Sequence, residues 1–228
     1  MSDIGVFLQV RLASRRLPGK ALLPLADRPV IAHAMRALSS LPAARFVLVT
    51  DPDSAPRLES VAAEYGYAVF AGEPQDVLKR FCDAADAFGV ETIVRATGDN
   101  PLVSAGAARE ALQLSTVTDA DYGGILGTPY GTGVEVIRSA ALDDLNRRTE
   151  NRYEREHVAP GLYRNPERYR IVTRPAGAAL RHPDFRVTLD TPEDYESLQA
   201  VFAQLYRGTP IELPELVAYG HRQHRSSA

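Results

Sequence analysis

The stretch Ile4-Gly5-Val6-Phe7-Leu8-Gln9-Val10-Arg11-Leu12-Ala13-Ser14-Arg15-Arg16-Leu17-Pro18-Gly19-Lys20 sets an apolar run directly before a loop that carries four cations in ten residues. Ile4 to Leu8 reads as a buried first strand, and Pro18-Gly19 as a sharp bend ahead of Lys20. At the head of a chain in which strands and helices alternate, such a loop lies at the carboxyl edge of a sheet, where open α/β folds bind ligands. Arg11, Arg15 and Arg16 offer planar forks suited to phosphate oxygens, and Lys20 a compact charge that can follow a phosphate group through reaction. A polyphosphate is the expected guest. Basic clusters are more often solvated surface loops; the buried strand before this one and the fixed turn before its lysine set it apart. It is not a P-loop, because Ala21 follows Lys20 and no glycine stands five residues before Gly19.

Outward from this stretch, Pro29 at a first helical position and the stripe Val30, Ile31, Ala34, Met35 and Leu38 predict a crossover helix. Strands are expected at Arg45 to Thr50, Tyr67 to Ala71 and Thr92 to Thr97. Between them lie a helix capped by Asp53 or Ser54 that runs to about Tyr65, and another over Gln75 to Phe88. This alternation predicts an α/β fold with a Rossmann-like, mostly parallel sheet and right-handed crossovers. No G-x-G-x-x-G follows the first strand, which argues against a dinucleotide site. The fourth strand ends in Thr97-Gly98-Asp99-Asn100-Pro101-Leu102, so Asp99 is a candidate ligand for a divalent metal at the same sheet edge as the cations. A plain turn is the alternative, since Gly, Asp, Asn and Pro all favour turns. A helix follows over about Ser104 to Ser115.

The second half changes character. Short strands are expected near Tyr122 to Leu126 and Gly133 to Ile137, then a helix over Ala140 to Arg148 and another opened by Tyr153-Glu154-Arg155-Glu156-His157-Val158. The Glu154 and His157 spacing resembles metal-ligand spacing only weakly. Arg170 to Thr173 and Phe185 to Leu189 read as strands, the second ending at Asp190. Thr191 as a cap and Pro192 at a first helical position start a helix to about Leu205; a last helix covers Leu213 to His221, with a loose tail from Arg222. No linker divides the halves, so residues 1–228 are expected as one domain in which about 120–185 form a β-rich arm.

Composition narrows the function. With 45% hydrophobic residues the chain can bury a core, and one cysteine, Cys82, cannot form an internal bridge. No apolar run approaches the roughly 18 residues of a membrane span, so a soluble cytoplasmic protein is expected. A net charge of −3 argues against a nucleic-acid binder, and Tyr130, Tyr153, Tyr163 and Tyr169 are too scattered to form a platform for bases. Cations concentrated in one loop suit a small anionic ligand better than a polymer.

Four stretches stand in one order: Gln9 to Lys20; Asp76-Val77-Leu78-Lys79-Arg80-Phe81; Thr97 to Leu102; and Val187-Thr188-Leu189-Asp190-Thr191-Pro192-Glu193-Asp194. Together they resemble the cytidylyltransferases of the spore-coat polysaccharide type, related to the enzymes that activate 3-deoxy-manno-octulosonate and acylneuraminates. Gly133-Val134-Glu135-Val136 and Glu154-Arg155-Glu156-His157 look like further segments of that family. The resemblance implies a glycosyltransferase-A-like nucleotidyltransferase fold. It implies a reaction of CTP with a sugar or sugar-acid acceptor that gives a CMP-linked product and pyrophosphate. By it, Arg11, Arg16 and Lys20 would act on the triphosphate, and Asp99 and Asp190 would hold Mg²⁺. Gly72, Asp76 and Arg80 would lie near the nucleoside, Glu135, Arg155, Glu156 and His157 would face the acceptor, and a homodimer would form through the β-rich arm. Val10 departs from the usual alanine and Ala13 from the usual small residue or glycine, and neither removes a charge. A same-fold transferase using another nucleotide or a phosphonate or polyol phosphate acceptor is the first competing account, and a non-catalytic nucleotide-binding module the second.

Overall fold

In the computed structural model, which describes residues 3–226, the first strand, β1 (Ile4–Gln9), has an apolar run because both of its faces are covered. Val6 and Leu8 enter one core and Phe7 the other, all with no exposed surface. The loop that follows turns at Gly19, whose φ of +69° suits glycine, into a 3₁₀ turn at Lys20–Leu22. A small hairpin of β2 (Pro24–Leu25) and β3 (Arg28–Pro29) then leads into α1 (Val30–Leu38). Pro29, expected inside the helix, sits just outside it because its extended ψ of 150° belongs to the hairpin.

The chain continues through β4 (Arg45–Thr50), α2 (Ala55–Glu64), β5 (Ala68–Ala71), α3 (Val77–Phe88), β6 (Thr92–Thr97) and α4 (Ala105–Thr118). The second half supplies β7 (Tyr122–Leu126), β8 (Glu135–Arg138), α5 (Ser139–Arg148), α6 (Arg152–His157), α7 (Pro160–Tyr163) and β9 (Ile171–Pro175). Helices α8 (Pro192–Leu205) and α9 (Leu213–Ser226) follow. The tail expected to be loose from Arg222 is helical through Ser226.

One seven-stranded sheet runs β5-β4-β1-β6-β8-β7-β9, and within it only β8 opposes its neighbours. The sheet is therefore mostly parallel, as the alternation predicts. Stretch 120–185, expected as an arm, gives β7, β8 and β9 to this main sheet. From β1 the chain works out to β4 and β5 and then returns to β6 on the other side. The switch point thus falls between the carboxyl ends of β1 and β6, where the basic loop and Asp99 emerge.

Residues 185–189 form no regular strand, contrary to expectation. Apolar burial and a few backbone bonds fix them: Val187 and Leu189 sit in the core beneath α8 and α9, and each such side chain contributes about 1.5–3 kcal/mol. Tyr130 N donates to the Phe185 carbonyl and Val187 N to the Tyr130 carbonyl, both at 2.8 Å, and Leu189 N donates to the Asp99 carbonyl at 2.9 Å. That last bond delivers Asp190 to the edge beside Asp99. Gly131 makes the approach feasible, because its φ is +103° and a Cβ there would lie 2.9 Å from Thr188 N and 3.0 Å from the Val187 carbonyl carbon. Gly131→Ala should lower the unfolding free energy by about 2 kcal/mol or more, which a denaturant titration would read.

Candidate active site

Lys20 reaches across the switch point. Its Nζ donates to Asp99 Oδ2 at 2.6 Å, to Asp190 Oδ1 at 2.8 Å and to the Leu189 carbonyl at 2.6 Å. The residues come from the loops after β1 and β6 and from the segment before α8, so three distant parts of the chain meet at one ammonium. Arg16 also pairs with Asp190 Oδ1, at 3.0 Å, and Arg186 with Asp190 Oδ2, at 2.5 Å. Burial would raise the Asp190 carboxyl, but the hydrogen bond and charge of Lys20, aided by Arg186 and Arg16, hold it below the ordinary range. Asp99 keeps its second oxygen, Oδ1, without a donor among the described residues.

The loop is closed on itself and onto the sheet. Gly19 N donates to the Leu12 carbonyl at 3.0 Å, and Leu12 N donates to Ser54 Oγ at 2.9 Å. Ser54 stands at the start of α2 but its hydroxyl does not cap it; the hydroxyl serves the loop and donates to Asp51 Oδ2 at 2.8 Å. Val10 spends its extra bulk in the core against Gly98, whose Cβ position would be 3.1 Å from Val10 Cβ. Arg11 and Arg15 pair with no carboxylate among the described residues and line a cavity of about 390 Å³ together with Arg16, Lys20 and Arg80. A concave site with this many cations attracts a compact polyanion.

The resemblance puts Arg80 near the nucleoside, and it does line this cavity, with its whole side chain buried. Its Nε and Nη2 donate to the Glu73 carbonyl at 3.0 and 2.6 Å, fixing the turn before α3. Burial pulls its guanidinium down from the usual arginine value, while the Asp51 charge opposes the fall. Gly72 lines neither this cavity nor its neighbour but leaves room for Arg80, since a Cβ there would be 2.8 Å from Arg80 Cγ. Asp76 caps α3 by accepting from Lys79 N at 2.9 Å.

A second cavity of about 620 Å³ adjoins the first, and Thr97, Asp99, His157 and Asp190 line both. Glu135 lines the second, Glu156 the first, and His157 stands at their junction. Arg155 is absent from both. It pairs with Asp76, donates from Nε to the Thr149 carbonyl at 3.0 Å and from Nη2 to the Asn146 carbonyl at 2.9 Å. Its position clamps α6, which carries His157, to the start of α3. Sequence reading missed Arg95, which pairs with Glu135, and Arg186. It also missed that Tyr130, Tyr153 and Tyr163 converge on the second cavity. Tyr169 does not join them; it is buried and donates to Asp144 Oδ2 at 3.0 Å. Strand alternation from β6 and β8 could have signalled the Arg95 and Glu135 pair, because the two are register partners.

A family model described as cytidylyltransferase matches residues 6–217. The chain belongs to the cytidylyltransferase family. It is 33% identical, over 97% of its length and 95% of the relative's, to the spore coat polysaccharide biosynthesis protein SpsF of Bacillus subtilis. Among solved structures it resembles a cytidylyltransferase from Leptospira borgpetersenii, with a TM-score of 0.88 at 25% identity, covering 99% of this chain and 96% of that one. A CMP:2-keto-3-deoxy-manno-octonic acid synthetase complexed with CTP shares the fold, with a TM-score of 0.68 at 18% identity over 89% and 99% of the two chains. The cytidylyltransferase is thus an enzyme of α/β nucleotidyltransferase fold, and no helix among its described residues is long and apolar enough to cross a membrane.

Two outcomes follow from the ion pairs of this cytidylyltransferase. Because the Asp190 carboxyl is held below its ordinary value, its stabilising contribution is complete above that value and is lost as the pH falls through the lowered one. The stability gap between the wild type and Asp190→Asn should therefore stay level near neutral pH and narrow below 3.8, measured by urea unfolding at stepped pH. Arg155→Met should cost about 1–3 kcal/mol and loosen α6, which hydrogen exchange at residues 152–157 would report.

Proposed function

We propose that the enzyme transfers CMP from CTP to a hydroxyl of a sugar or sugar-acid acceptor, releasing pyrophosphate, in surface polysaccharide or glycan biosynthesis in the cytoplasm. The observation that carries this reading is the meeting of Lys20 with Asp99 and Asp190 at 2.6 and 2.8 Å, beside two arginines, Arg11 and Arg15, that have no carboxylate partner among the described residues. Arg11, Arg16 and Lys20 are assigned to the triphosphate. Arg80 is assigned to the nucleotide through the guanidinium nitrogen, Nη1, that the turn carbonyls do not use. Gly72 and Asp76 support it from behind.

The carboxylates suit Mg²⁺. Their Lys20-bound oxygens are no farther apart than two hydrogen bonds laid end to end, and Asp99 has an oxygen to spare. No third His, Cys, Asp or Glu joins them in a metal-binding group among the described residues, which fits an ion that usually takes one or two carboxylates and completes its shell with phosphate and water. When bound, Mg²⁺ would neutralise phosphate charge and acidify the acceptor hydroxyl.

In the transfer, the acceptor oxygen bonds to the α-phosphorus of CTP as the bond to pyrophosphate breaks. The bonding pair leaves with pyrophosphate and the hydroxyl proton goes to water. Negative charge grows on the departing pyrophosphate, so Lys20 and Arg16, which line the cationic cavity, are assigned to stabilise the transition state more than the ground state. Both now bind Asp190, and a change of partner from carboxylate to phosphate would release that carboxylate for the metal. Glu135 and His157 are assigned to the acceptor, Glu156 to the nucleotide side and Arg155 to support. A homodimer remains the expected assembly.

Pyrophosphate release from CTP with an acceptor panel tests this reading. Asp99→Asn and Asp190→Asn should each lower turnover by roughly 100-fold or more, and Lys20→Ala should lower kcat by roughly 100- to 1,000-fold with a smaller change in CTP affinity. Full turnover in both aspartate variants would remove the metal assignment; preference for ATP, GTP or UTP would remove the cytidylyl one.

A further inference from the structure

Gln9 ends β1 and lines the cationic cavity. Arg95 Nη2 and Nε both donate to its Oε1, at 2.7 and 3.2 Å. A guanidinium has donors and no acceptor, so the Gln9 amide cannot be turned end for end: its oxygen faces Arg95, and Nε2, with both hydrogens, is left for the cavity. Nε2 has no acceptor among the described residues. Arg95 is itself held. Its Nη1 pairs with Glu135, whose other oxygen accepts from Tyr122 Oη at 3.1 Å, and its guanidinium stands 5.6 Å from the centre of the Phe81 ring. With its side chain only 13% exposed, Arg95 is a fixed support for the amide.

The place of this donor along the sheet edge decides which part of a nucleotide it meets. The strands run β5-β4-β1-β6, about 4.8 Å apart. Asp99 follows β6, and Arg80 is tied to the Glu73 carbonyl just after β5. Gln9, at the end of β1, therefore stands between them, one strand from Asp99 and two from the turn that holds Arg80. With the α-phosphate at Asp99 and the base toward Arg80, the ribose spans the interval. The side chains there suit an uncharged diol. Thr97, the register partner of Gln9, lines the same cavity, and its Oγ1 accepts from Asn100 Nδ2 at 2.8 Å, which leaves its own hydrogen free to donate. Apart from Arg80, the arginines and the lysine of the cavity belong to the loop from Arg11 to Lys20.

We propose that Gln9 is a specificity-determining residue whose Nε2 donates to a ribose hydroxyl of CTP, and that Arg95 is the positioning residue that keeps the amide turned for it. This rests on the transfer reading above and adds a contact to the sugar of the nucleotide. A nucleotide without that hydroxyl leaves Nε2 unpaired, and because Arg95 fixes the amide, Gln9 cannot turn to another partner. A site made to hydrogen-bond a hydroxyl discriminates for this reason against the analogue that lacks it. The enzyme should thus separate ribonucleotides from deoxyribonucleotides. A phosphate oxygen is the competing target for an N–H donor, but phosphates are common to both kinds of nucleotide and would give no such separation.

Calorimetry on the full chain with Mg²⁺, without acceptor so that binding is read apart from turnover, compares CTP with 2′-deoxy-CTP and 3′-deoxy-CTP. The wild type should bind CTP roughly three- to tenfold more tightly than at least one deoxy analogue, and the weaker analogue identifies the hydroxyl. Gln9→Leu should bring that ratio close to one by weakening CTP alone. Arg95→Met, which leaves Gln9 in place but unheld, should lower the ratio as well. Gln9→Asn keeps the amide but shortens its reach, and gives the same reading where the leucine variant does not fold. Deoxy analogues bound as tightly as CTP by the wild type, a ratio untouched by Gln9→Leu, or equal weakening of all three nucleotides would each overturn the proposal. A ratio lost in Gln9→Leu but intact in Arg95→Met would overturn the positioning role of Arg95. Failure of all three nucleotides to bind the wild type would defeat the transfer reading itself, and the ribose contact with it.

Discussion

Two aspartates and a lysine impose the constraint around which the molecule is arranged. Carboxylates as close as those of Asp99 and Asp190 repel by on the order of 3 kcal/mol in a partly buried setting, and Lys20 cancels that repulsion by bonding to both. To bring them together the chain ends two strands at one sheet edge and then lays the 187–190 segment across that edge from the far side. The bond from Leu189 N to the Asp99 carbonyl and the burial of Val187 and Leu189 serve this single meeting.

Much of the fold was legible because it follows from short-range pattern. The strands β1 and β4 carry unbroken apolar runs over Val6–Leu8 and Phe46–Val49, β6 carries one interrupted by Arg95, and the parallel sheet follows from their alternation with helices. What could not be read was anything decided by contacts between distant segments. Residues 185–189 have the composition of a strand, yet they make only a single bridge pairing, Tyr130 with Arg186, because their apolar side chains are claimed by α8 and α9. Pro29 likewise has the chemistry of a first helical residue, but the β2 and β3 hairpin holds it outside.

The site divides the same way. The basic loop, Asp99 and Asp190 stand out locally, as cations after a strand and carboxylates before a turn or a helix. Arg155 does not disclose its role, because an arginine beside Glu156 and His157 looks equally fit for a ligand or for Asp76, and only the fold brings Asp76 within reach. The tyrosines are harder still. Tyr130, Tyr153 and Tyr163 share no period that a sequence could display; the packing of α6 on α7, with Tyr163 against Tyr122 of β7, gives them a common wall.

The placement of Asp190 also sets the order in which the protein becomes able to act as it leaves the ribosome. Lys20 and Asp190 are 170 residues apart, and at the usual pace of synthesis roughly 10–35 s separate their emergence. During that interval the first strand and the basic loop exist without the carboxylate that three cations share, and β1, β4, β5 and β6 can pair before α8 and α9 have been made. The nascent chain therefore shows an unneutralised cationic loop long before it has a complete site, and the last two helices, from which no described residue lines either cavity, are the timer for its completion.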